Sequence, residues 1–112
     1  MAKNYKEITG ELLPFVTQLH KDLPGVMQAF SSMGKAATEE KALDKKTKEL
    51  IAIALAVANH CEGCIGFHVQ TLVKLGVSRE ALVEALGMAI YMGGGPSVMY
   101  AAEALHAFAD LS

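Results

Sequence analysis

Apolar positions recur at helical spacing along the whole chain, and no two-residue alternation persists. Ile8, Leu12, Phe15 or Val16, and Leu19 fall on one face of a first helix. "LPG" at 23–25 ends it, and Pro24 is able to open a second helix carrying Val26, Met27 and Phe30. The stretch "ATEEKALDKK" then alternates charge signs, as a solvated surface does. Asp44 can cap a third helix running to about Asn59, in which "LIAIALAVA", 50–58, is apolar at every position. Such a run is far short of the roughly 20 residues a bilayer requires, so it is expected to be buried on all sides within protein. "CIGFHVQTLVKL", Gly66 apart, continues as a helix with Cys64, His68, Leu72 and Leu75 on one face. Gly76 ends that helix and Ser78 caps the next, which turns Leu82, Leu86, Ala89 and Ile90 inward. "GGGP" at 93–96 breaks the pattern before a last helix with Val98, Ala102, Leu105 and Ala109 on one side.

These elements predict an all-α chain forming a single domain over residues 1–112, with more apolar surface than 112 residues can cover by themselves. The surplus points to contacts between copies of the chain. Composition agrees: 52% hydrophobic residues are too many for a disordered segment. The net charge of -2, with Lys and Arg neither in excess nor clustered, gives no reason to expect nucleic acid as a partner. No membrane association is expected either. The start "MAKNYKEITG" is polar and does not read as a signal peptide, so a reducing cytoplasm is the expected location.

Chemistry concentrates in "HCEGCIGFH", residues 60–68, which holds both cysteines of the chain and two of its four histidines. Cysteines three apart cannot staple distant parts of a fold, so a disulfide there is expected to be made and broken in use. Both would stand on the first turn of a helix, where unpaired N–H groups and the macrodipole favour thiolate. One turn further on, His68 can take or share the Cys64 proton. His68 is in line with Leu72 and Leu75, so its ring is expected inside and in need of a partner. Glu49 is the best candidate, because it continues the inward stripe of Ile53 and Val57. If the third helix and the Cys helix fold back around Asn59 and His60, a rise of about 1.5 Å per residue brings Glu49 and His68 to similar depth. The residues therefore suggest a relay from Glu49 through His68 to Cys64, with Cys61 closing the disulfide.

Glu49, Cys61, Cys64 and His68 at this spacing resemble the signature of the alkylhydroperoxidase D-like branch of the carboxymuconolactone decarboxylase family. The resemblance extends from about Pro24 to Phe108, including "LGVSREALVEAL" after the motif. It implies an alkylhydroperoxidase D-like helical bundle and a peroxiredoxin-type oxidoreductase: a thiol peroxidase or disulfide reductase acting on organic hydroperoxides. Cys64 would attack the peroxide and become a sulfenic acid, which Cys61 would resolve. The more exposed Cys61 would then accept electrons from an external dithiol, such as a lipoyl group, with no bound cofactor and no metal. The resemblance also implies a homo-oligomer, a trimer or a hexamer built as a trimer of dimers. Peroxidases of this type place a histidine directly before the second cysteine, where this chain has Gly63, which cannot move a proton. The decarboxylase branch of the family lacks the cysteine pair, and a carboxymuconolactone decarboxylase-type enzyme is the alternative that the resemblance leaves.

Other readings of the same residues are a zinc site completed by Glu49 or His60, and a redox-sensing Cys/His cluster on a non-catalytic helical oligomer. His60 and Tyr91 are candidate flanking residues of the site, and Tyr100 could join Tyr91 at the mouth of a thiol pocket. His106 reads as an edge or core histidine. Met27, Met33, Met88, Met92 and Met99 read as adaptable packing.

Overall fold

Among the described residues, 3–112 of a computed structural model, the chain forms six helices and no strand. Met1 and Ala2, where the N-terminal stretch discussed above begins, lie outside the described residues. The helices are α1 (Tyr5–Asp22), α2 (Pro24–Ala37), α3 (Lys45–Ala58), α4 (Glu62–Lys74), α5 (Arg79–Gly93) and α6 (Gly95–Leu111). Their starts follow the caps read from sequence. Asp44 accepts the Thr47 N–H at 2.7 Å and Ser78 accepts that of Ala81 at 3.1 Å. Pro24 and Pro96 sit in the first turns of α2 and α6, where a missing N–H costs nothing.

α3 is the central helix, packed against α4, α5 and α6, while α4 and α5 do not touch each other. Ile53 and Val57 of α3 meet Ile65, Val69 and Leu72 of α4 and Leu82, Leu86 and Ala89 of α5 in one core. Each fully buried Ile or Leu contributes about 1.5–3 kcal/mol. α1 crosses α4 at Gly66, the residue that interrupted the helical pattern. A Cβ there would lie 2.8 Å from Thr9 Cγ2 and 3.2 Å from the Tyr5 ring, so any larger residue would have to push those side chains away.

Three expectations about buried faces are corrected. α1 buries Tyr5 and Thr9 rather than the Leu12, Phe15 and Leu19 stripe, which is exposed. Tyr5 and Thr9 lie in its first turns, and from Gly10 onward every residue of the helix is exposed except half-buried Val16. α3 is not buried all round within one chain, because Ile51 and Leu55 face outward. α6 turns Ala101, Ala104 and Ala107 inward, since small side chains let its backbone approach the others, and leaves Val98 and Leu105 on a groove against α5. That groove, about 360 Å³, is also lined by Val83, Leu86 and Ile90. α2 packs only on α1 and has no buried residue, with Phe30 63% and Met33 61% exposed. No described helix is long and apolar enough to cross a membrane.

Candidate functional site

The α3–α4 connection is one tight turn, and Cys61 belongs to both helices. At the end of α3, the Cys61 N–H reaches back to Ala56 O (3.0 Å) and the His60 N–H to Val57 O (3.1 Å), the two bonds of a Schellman motif. Cys61 then serves as N-cap of α4, its Sγ accepting the Cys64 N–H at 3.2 Å. Cys61 and Cys64 are joined by a disulfide, with Cα atoms 5.2 Å apart. Both sulfurs therefore lie at the positive end of α4, as the sequence suggested.

One turn further along, His68 Nδ1 lies 2.9 Å from Glu49 Oε2. The Glu49 side chain is 7% exposed and that of His68 38%. A carboxylate removed from water demands a partner, and His68 supplies it. With Nδ1–H donating to Glu49, the ring's lone pair falls on Nε2, the nitrogen free to accept a proton. Cys61, Cys64, His68 and Glu49 are thus gathered where α3 and α4 run back to back.

The order of exposure of the two cysteines is a correction. Cys64 is the exposed one and Cys61 is half-buried. A capping side chain folds back over the helix end to meet an N–H, whereas the third helical position projects outward. Tyr91 is also corrected. It is 79% exposed and stands on α5, which does not touch α4. Tyr100 on α6 is the tyrosine at the site, stacked on His60 with ring centroids 4.6 Å apart and planes 5° from parallel. At Gly63, between the cysteines, a Cβ would lie 3.1 Å from Leu12 Cδ1, so α1 occupies the adjoining space.

A polar network beside the disulfide was not foreseen. Glu62, between the cysteines, pairs with Lys3, which also donates to Glu103 Oε1 at 2.6 Å. The Tyr5 hydroxyl donates to the same oxygen at 2.7 Å, and the Tyr5 N–H to Asp110 Oδ2 at 2.9 Å. His106 Nε2 lies 3.3 Å from that Asp110 oxygen, and its ring meets Tyr5 edge-on. Burial pushes the Glu103 carboxyl up, but the hydrogen bonds from Lys3 and Tyr5 outweigh it and hold the group below the usual range. Burial, and then the bond to Glu103, push the Tyr5 phenol well above its ordinary value. Partners about 100 positions apart leave no local spacing to read, so pattern analysis could not have found them.

The described residues thus form an all-helical chain that presents a C-x-x-C disulfide at a helix N-terminus, backed by a Glu–His pair. The chain belongs to the carboxymuconolactone decarboxylase family, which it matches over residues 24–107. A carboxymuconolactone decarboxylase family protein of Legionella pneumophila is 60% identical, with 96% of each chain covered and a TM-score of 0.94. One from Thermotoga maritima is 25% identical with a TM-score of 0.81, covering 92% of this chain and 88% of its own. An uncharacterised protein of Cupriavidus necator shares 45% identity over 80% of this chain and 79% of its own length. The alkyl hydroperoxide reductase AhpD of Mycobacterium marinum is 38% identical over 58% of this chain, which spans only 36% of that protein.

Proposed function

We propose that this protein is a dithiol-dependent hydroperoxide reductase in which Cys64 is the attacking sulfur. The observation that carries the reading is the Cys61–Cys64 disulfide at the start of α4, one turn before a histidine held by a buried carboxylate. In the reduced protein His68 Nε2 takes the Cys64 proton and the helix terminus favours the thiolate. The thiolate attacks a peroxide oxygen: an S–O bond forms, the O–O bond breaks, and the departing alkoxide takes the proton from His68 to leave as an alcohol. Cys61, as thiolate, then attacks the Cys64 sulfenic sulfur. The S–S bond forms, the S–O bond breaks, and hydroxide leaves with a proton as water. The two electrons that reduced the peroxide came from the pair of thiols.

An external dithiol, of which a lipoyl group is the type, returns them by attack on Cys61. Attack there lets Cys64 leave as the thiolate that His68 and the helix terminus favour. No resident cofactor or metal is required. The zinc alternative needs both sulfurs as thiolate ligands, which only the reduced protein offers. A reducing, cytoplasmic compartment suits such a cycle. The working form is a homo-oligomer, a trimer or a trimer of dimers, which would cover the apolar faces of α1 and α2.

The test is a thiol count on reduced, chelator-treated protein before and after one equivalent of organic hydroperoxide. Both thiols of the wild type should disappear, while the Cys61 thiol should persist in Cys64→Ser. Survival of both wild-type thiols would overturn the reading.

A further inference from the structure

The chain ends two helices with the same hydrogen-bonded device but places different residues in it. After α4, the Gly76 N–H bonds Val73 O (3.0 Å) and the Val77 N–H bonds Leu72 O (3.1 Å), with Gly76 at φ 71°. After α3 the equivalent position is His60, at φ 56°, the only residue other than glycine with positive φ among the described residues. Left-handed backbone is nearly free for glycine and costs a side-chain-bearing residue free energy. Histidine therefore stands where glycine would fit with less strain, one residue before the cysteine that caps α4. The surplus is its ring, which lies flat on Tyr100 of α6, itself half-buried against the core.

We infer that His60 and Tyr100 are positioning residues: their stack ties the α3–α4 turn to α6 and holds Cys61 within reach of Cys64 when the disulfide is open. Cys61 is fixed from behind by the Schellman bonds, and its reduced sulfur must stay near Cys64 for ring closure to be fast. A turn fastened only to its own two helices can open when the S–S bond is cut. α3 and α4 both pack on α6, and the stack adds a tie at the turn itself, next to Cys61, which raises the effective concentration of one sulfur at the other. Resting on the peroxidase reading, the clamp would hasten attack of Cys61 on the Cys64 sulfenic acid. It would thereby limit a second oxidation of Cys64 by hydroperoxide to sulfinic acid.

The effective concentration of the dithiol is measured by equilibrating the full chain in glutathione redox buffers, for wild type, Tyr100→Leu, Tyr100→Phe and His60→Gly. Tyr100→Leu should lower it by about three- to tenfold, the worth of one aromatic pair. Tyr100→Phe, which keeps the stack, should stay near the wild type. His60→Gly keeps the left-handed turn, loses an exposed ring without disturbing the core, and should fall with Tyr100→Leu. In excess organic hydroperoxide, Tyr100→Leu should also accumulate more Cys64 sulfinic acid by mass spectrometry than Tyr100→Phe. The clamp is refuted if folded Tyr100→Leu and His60→Gly keep the wild-type effective concentration, or if Tyr100→Phe falls as far as Tyr100→Leu. The glutathione equilibrium involves no peroxide, so a wild type inert to hydroperoxide would sink the peroxidase reading and leave this comparison to judge the clamp.

Discussion

Glu49 is a carboxylate placed among Ile53, Ala56 and Val57 on the buried side of α3, and among the described residues its side-chain partner is His68. Glu49→Gln keeps a hydrogen-bond acceptor for Nδ1–H and removes the charge, so it separates orientation from basicity. The Cys64 thiolate fraction at neutral pH should drop, and the rate of thiol loss to hydroperoxide should fall by about tenfold or more. Thiolate ultraviolet absorbance against pH, beside stopped-flow rates, would decide it, and an unchanged titration would remove Glu49 from the relay. Gly66 offers a test of packing alone. Gly66→Ala forces the new methyl against Thr9 and Tyr5 and should cost about 1–3 kcal/mol in thermal unfolding. Thr9→Ser removes the nearest methyl group and should recover part of that loss in the double variant. The Glu49–His68 pairing was legible in the sequence because both residues interrupt apolar stripes on consecutive helices joined by a short turn. Gly66 was visible only as an anomaly, since its reason is a residue some sixty positions earlier.

Helix boundaries were largely written into local chemistry: Asp44, Ser78, Gly76 and the two prolines act within a turn of themselves. Which face of a helix is covered was less legible. An apolar stripe shows that a face avoids water but not what covers it, and on α1 the stripe is not covered within the chain. On α6 the alanines that allow close approach carry a weaker hydrophobic signal than Val98 and Leu105, which line the outer groove. The N-terminus of α1 is held instead by the Lys3, Tyr5, Glu103 and Asp110 network, and this gives the oxidised protein a defined pH response. Tyr5 has its proton affinity raised on folding. Its contribution is therefore complete below pH 10.0, the ordinary phenol value, and is lost as pH rises above it. Glu103 and Asp44 are lowered, so theirs are present above the ordinary carboxyl values of 4.5 and 3.8 and lost as pH falls below them. Denaturant melts of the oxidised protein should show a plateau between these limits. Tyr5→Phe should flatten the alkaline arm, and an arm of unchanged slope would mean that another group causes it.

At the scale of the whole molecule, the unresolved balance is apolar surface. Phe15 and Leu19 of α1, Val26, Phe30 and Met33 of α2, and Ile51 and Leu55 of α3 are all exposed in the single chain. α2 illustrates why this matters. A helix of 14 residues lies at the margin where isolated helices form in water, and α2 buries no residue that could compensate. A second copy packing on it, as proposed above, would supply that cover, and this predicts a linkage between assembly and local structure. Phe30→Glu combined with Met33→Glu puts two charges on the exposed side of α2 without touching the core of α3 to α6. The wild type should sediment as an oligomer at micromolar concentration, and the double variant as a smaller species. Amide exchange in the variant should accelerate across residues 24–37 while the core helices keep their protection. A wild type that sediments as a monomer with α2 protected would overturn this, since α2 would then be held by something within its own chain.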